Sequence, residues 1–109
     1  MKDIEMIQKM SILHCVYQMI ASADGNIDEE RDEPTIDIAL SELELPFNCW
    51  DRALRLNPHD CFIHLSTLND YDKQSFRALL LKIANMGGNT FFRVSCADHI
   101  FQLIPNIKN

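Results

Sequence analysis

Residues 3 to 23 constrain the fold more than any other part of the chain. Met6, Met10, Leu13, Tyr17 and Ile20 recur at alternating spacings of four and three, the stripe of an amphipathic helix. Ile12, Val16 and Met19 widen that stripe until the segment is apolar nearly all round. A helix with no solvent face must be covered by others, so this one belongs at the centre of a bundle. Asp24-Gly25 ends it, because glycine tolerates the left-handed conformation common just past a helix terminus.

The same logic continues down the chain. Asp28 can cap the next helix, with Glu29 and Glu30 near its positive end. Pro34 is acceptable in a first turn but awkward deeper, which moves the expected start towards Asp32 or Glu33. Ile36, Leu40 and Leu43 form the buried face before Pro46. Shorter helices are expected from Phe47 to Leu56 and from His59 to Leu68. A fifth carries Phe76, Leu79, Leu80 and Ile83 and stops at Gly87-Gly88, and a sixth spans roughly residues 91 to 104. No Val-, Ile- or Thr-rich alternating run competes as a strand. The expected fold is all-α, a compact bundle of about six helices.

A chain of 109 residues is one domain's worth, so residues 1–109 are read as a single helical domain. The formal net charge of −6 and the scattered basic residues exclude a phosphate-backbone binder, so nucleic acid is not expected as a partner. The N-terminus carries acids early and no secretory h-region. Residues 12 to 21 form the most apolar stretch there, well short of the roughly 20 apolar residues that span a bilayer. Membrane insertion is not expected, peripheral association remains open, and the expected compartment is the cytoplasm. Cys15, Cys49, Cys61 and Cys96 are read as reduced core thiols.

An internal echo adds to the picture. "IASADGN" (20 to 26) and "IANMGGN" (83 to 89) share Ile, Ala, Gly and Asn, and Leu13 and Val16 align with Phe76 and Leu79. Two helix–turn–helix units about 63 residues apart suggest a pseudo-symmetric internal repeat.

The long apolar helix ending in Ala23-Asp24-Gly25, then Ile27, then acids opening a second helix, resembles the tellurite-resistance TerB-like domains. These also occur in the N-terminal part of DjlA-type co-chaperones. The resemblance covers nearly the whole chain. It implies a small bacterial helical bundle with a helix-ending turn in each half, a link to stress responses and membrane-peripheral complexes, and, in some members, divalent metal binding by acids. Asp24 and Gly25 match the first turn. Glu30 lies one step before the usual downstream Glu position, which holds Arg31. In the second turn Gly87 replaces Asp, and Arg93 or Val94 stands where the later acid falls.

Candidate sites are few. Read as an EF-hand, the first turn would put Ile20, Ser22 and Arg31 where oxygen ligands belong, so it is not one. A looser carboxylate site from Asp24, Asp28, Glu30 and Glu33 competes with a plainer account, in which Asp28 caps a helix, Asp24 closes a turn and the glutamates are solvated. Such a site would hold a divalent cation such as calcium weakly, on the order of 10⁻⁴–10⁻³ M. His59, Cys61, His64, Cys96 and His99 lack the paired spacing of structural zinc. His14-Cys15 are helix neighbours that cannot face each other as a nucleophilic pair. Gly87-Gly88 lacks the lysine of a phosphate loop. The function expected is a non-catalytic protein-interaction domain, not an enzyme, with an unidentified protein partner; the alternative is a dedicated divalent metal-ion binding or sensing protein.

Overall fold

The computed structural model describes residues 4–86 and 88–105. Six helices account for the described residues, with no strand: α1 (Met6–Asp24), α2 (Glu29–Glu42), α3 (Cys49–Leu54), α4 (Pro58–Ser66), α5 (Asp70–Ala84) and α6 (Thr90–Leu103). The all-α bundle is what the periodicity predicts. Residues 1–3, where the first helix was expected to begin, and Gly87 lie outside the described residues.

α1 packs against every other helix, because it has apolar side chains on all sides. Met10, Ile12, Leu13, Cys15, Val16, Met19 and Ile20 are all buried, and the core gathers around them. Phe76 of α5 meets Phe101 of α6 edge-to-face, with centroids 5.7 Å apart, and closes the core on one side. The Cα radius of gyration, 12.5 Å, is that of a folded chain of this length.

Helix boundaries follow capping chemistry. The Asp28 carboxylate accepts the backbone N–H groups of Glu30 and Arg31, Asn57 accepts that of Asp60, and Asn69 that of Asp72. Pro58 opens α4 at a position where a missing N–H costs nothing. Gly25 takes φ +86°, and an added Cβ would meet nothing within 4 Å, so backbone conformation and not space calls for glycine here.

α2 ends at Glu42, ahead of Pro46, α3 is two residues shorter at each end than the expected Phe47–Leu56, and α4 stops at Ser66, two residues before Leu68. Two further boundaries differ for reasons the hydrogen bonds give. α2 begins at Glu29, not near Asp32 or Glu33, and carries Pro34 inside it. The Asp28 cap, with the Asp28 N–H donating back to the Asp32 carboxylate at 3.1 Å, fixes the first turn firmly enough to outweigh the hydrogen bond that proline omits. α5 stops at Ala84, short of the glycines, because Asn85 turns its backbone and side-chain N–H groups onto the Leu81 carbonyl.

The two echoing turns differ in conformation. Gly25 is left-handed directly after α1, whereas in the second turn the left-handed residue is Asn89, directly before α6.

Candidate functional site

Asp24, at the last position of α1, turns its carboxylate inward, and its side chain is 2% exposed. Arg93, from the first turns of α6, meets it with Nη2 at 2.6 Å from Oδ2 and Nε at 3.5 Å from Oδ1. Asn89 donates its side-chain amide to Oδ1 at 2.9 Å, leaving its own helix without a side-chain cap. The same Arg93 reaches the Met86 carbonyl at 2.9 Å and Asp32 Oδ1 at 3.3 Å. Arg31 then holds Asp32 in a two-pronged grip, Nε to Oδ1 at 3.1 Å and Nη2 to Oδ2 at 2.9 Å. Two carboxylates and two guanidiniums therefore form one charge-balanced cluster. It fastens the end of α1, the start of α2, the end of α5 and the start of α6 to one another.

Burial alone would raise the Asp24 carboxyl. Hydrogen bonds from Arg93 and Asn89, and the charges of Arg93 and Arg31, outweigh it and hold the group below the usual carboxylate range. Asp32 behaves alike: burial pushes it up, while Arg31, the Asp28 N–H and the Arg93 charge bring it down.

Of the residues singled out in the sequence, Asp24 is engaged in this cluster and Asp28 caps its own helix. Glu30 is exposed, and Glu33 lies beside Ile36, Phe47 and Trp50 at a separate hollow of about 200 Å³. No three of these four acids come together as ligands, and among the described residues no group of three or more His, Cys, Asp or Glu does so. The reason is that each inward carboxylate already has cationic or backbone N–H partners. Asp32, Arg31 and Arg93 are the members that sequence reasoning missed. A signal was present, since both arginines stand where an acidic ligand is counted.

His14 is buried on α1. Its Nδ1–H donates to the Ala53 carbonyl at 2.8 Å, and Nε2 lies 3.2 Å from the Gln18 amide nitrogen. Burial lowers the imidazole below its ordinary value, against the Ala53 hydrogen bond, which raises it. Cys15, Cys61 and Cys96 are all pushed up, chiefly by burial, and so rest as thiols.

A further hollow lies on another face. A groove of about 530 Å³ opens between α1, α4 and α6. Phe92, Ser95, Cys96, His99, Ile100 and Leu103 line it from α6, at three- and four-residue spacing along one helix face. Gln18, Ser22 and Ala23 come from α1, and Pro58 and Phe62 from α4. No Asp, Glu, Lys or Arg is among these lining residues. Phe92 and Leu103 are 58% and 48% exposed, and Phe91, 77% exposed, stands edge-to-face on Phe92 at 5.5 Å.

No model of a known protein family matches the chain, and neither a curated protein nor a solved structure does. No described helix is long and apolar enough to cross a membrane.

Proposed function

We propose that this chain is a non-catalytic helical domain that works by binding another protein chain through the α1–α4–α6 groove. The observation that carries the reading is the groove itself. Its lining holds no Asp, Glu, Lys or Arg, and Phe92 and Leu103 are exposed along it, with the exposed Phe91 ring standing on Phe92 beside it. Aromatic side chains left in water on one face are typical anchors of protein interfaces. The resting thiols and the buried His14 support a role without nucleophilic chemistry.

The likeness to TerB-like domains, and the stress-related role it implies, belong to the same proposal and rest on the Asp24-Gly25 turn and the helical pattern. A cation site at that turn is not part of it, because Asp24 and Asp28 already have partners.

The test compares the wild-type chain with a Phe92→Ser/Leu103→Ser variant as affinity baits in lysate of the source organism. A stoichiometric partner held by the wild type and lost by the variant is expected. Recovery of the same proteins by both would overturn the reading.

A further inference from the structure

We propose that His14 and Gln18 form a pH-operated switch in the wall of the groove: protonation of the imidazole reverses the Gln18 carboxamide, so that it offers the groove a hydrogen-bond donor in place of an acceptor. The proposal rests on the interaction-domain reading above and supplies a means of regulating that same site.

The Ala53 carbonyl fixes the starting state. A carbonyl oxygen only accepts, so His14 Nδ1, 2.8 Å from it, carries a proton. In the neutral ring Nε2 is then bare and can only accept. The Gln18 carboxamide must therefore turn its nitrogen towards Nε2, at 3.2 Å. Gln18 itself lines the groove, so its carbonyl oxygen, the tip turned from the ring, is the end left for the groove. Protonation undoes this arrangement. Imidazolium donates from both nitrogens; Nδ1–H stays on Ala53, while Nε2–H confronts the Gln18 NH2, donor against donor. A half-turn about the last Gln18 torsion, which is broad and roughly two-fold, sets the oxygen against Nε2–H without moving the helix. The NH2 group then faces the groove.

The other neighbours leave the switch to this pair. His14 is 1% exposed, so its protonation reaches the groove through Gln18. The Tyr17 ring stands tilted at 5.8 Å, with Trp50 edge-on to it at 6.4 Å. Around Ala53, Asp51, Arg52 and Arg55 are exposed, and α4 carries exposed His59 and Asp60 and half-buried His64. On α6, Asp98 is half-buried and His99 is exposed in the groove lining. The Asp24–Arg93 cluster lies further on, about 15 Å along α1 at 1.5 Å per residue. None of these charges moves the ring: burial lowers its titration and the Ala53 hydrogen bond raises it.

The experiment is NMR of the full labelled chain on its own, titrated from about pH 7.5 to about pH 4.5, through and below the ordinary imidazole value. Imidazole ¹⁵N shifts follow His14, and the side-chain NH2 signals follow Gln18. One shared midpoint is expected. The Gln18 NH2 protons should show Overhauser contacts to the His14 ring above it and to α6 side chains of the groove below it. Gln18→Glu sets a permanent acceptor and a negative charge against Nε2, and should raise the His14 midpoint by about one unit or more. His99→Gln, at an exposed position in the same groove, should leave both transitions in place. Gln18 signals that stay flat through the His14 midpoint would overturn the switch, as would a neutral His14 with its proton on Nε2. So would an unmoved midpoint in Gln18→Glu, or loss of the native amide spectrum at the midpoint, since protonation would then unfold the chain. Because no partner is present, a flat Gln18 strikes the switch alone and leaves the interaction-domain reading standing. Failure to capture a partner strikes that reading and leaves the titration as it is.

Discussion

Arg93 Nη2 lies 2.6 Å from Asp24 Oδ2, so the start of α6 is joined to the end of α1 across 69 residues of chain. Both side chains are at least 96% buried, at 4% and 2% exposure, which makes this pair different in kind from a surface ion pair. Replacing Arg93 by Met keeps much of the volume but leaves Asp24 and Asp32 buried with only Arg31 to balance them. Breaking one side of such a pair typically costs about 3–5 kcal/mol. Urea unfolding of Arg93→Met should show a loss of that order. Lys82→Ala, which breaks an exposed 2.8 Å pair with Glu42, should cost less than about 1 kcal/mol. Similar losses for the two variants would mean that the cluster is not buried as described.

Acid should weaken the fold in two windows. Asp24 and Asp32 are held below the ordinary carboxylate value, so on acidification the unfolded chain takes up their protons first. Their stabilisation is whole above about pH 3.9 and is lost as pH falls through their folded values. His14 is likewise depressed, chiefly by burial, so its share is whole above about pH 6.5 and declines below that. Urea midpoints measured from pH 8 to pH 3 should therefore fall in two stages. In parallel, ¹⁵N imidazole shifts should report His14 neutral with the proton on Nδ1 at pH 7. A His14 that titrates at or above the ordinary value contradicts the burial that lowers it.

What the sequence made legible was local. The apolar wrap of α1, the Asp28 cap and the left-handed Gly25 each follow from residues within a turn or two of one another. The start of α2 was misplaced because Pro34 is a local signal, while Asp32, which ties back to Asp28 and across to Arg93, acts over a distance of 61 residues. Asp32 in isolation reads as one more acid at a helix start. The same distance hid the cluster: Arg31 and Arg93 spoil the count of a cation loop, and nothing short-range says that they supply the positive charge themselves. The groove escaped notice for a related reason. Phe92 and Leu103 lie off the Ala97–Phe101–Ile104 core stripe, and only the packing of α1 and α4 beside them turns that face of α6 into the wall of a groove.

Glu44 should be better as glycine. α2 ends in a Schellman turn, with the Leu45 N–H on the Leu40 carbonyl at 2.9 Å and the Glu44 N–H on that of Ser41 at 3.1 Å. That geometry puts Glu44 at φ +55°, the left-handed region that L side chains occupy at a cost of about 1–2 kcal/mol. Glycine removes the cost but gains freedom in the unfolded chain, so Glu44→Gly should stabilise by a net of about 0.5–1 kcal/mol. Thermal unfolding would show it, and a lower melting temperature would mean the turn is not left-handed at this residue.

Calcium should find no purchase at the first turn of the wild-type chain. Asp24 accepts from Asn89 and Arg93 at Oδ1 and from Arg93 at Oδ2, while Asp28 Oδ1 accepts two backbone N–H groups of its own helix. Arg31 Nη2 stands 3.4 Å from Asp24 as well, so a dication would enter against two guanidiniums. A hard cation needs six or more oxygens at roughly 2.3–2.6 Å, and these carboxylates would have to be stripped of their partners to supply any. Titration to about 10 mM calcium, beyond the weakest ordinary calcium sites, should leave the amides of residues 24 to 33 unmoved. In Arg93→Met the balance changes, because Asp24 and Asp32 lose their shared cation; millimolar calcium should then shift those amides and raise the urea midpoint. Saturable shifts in the wild-type chain would show that the arginines yield to the metal, and that the turn is a cation site after all.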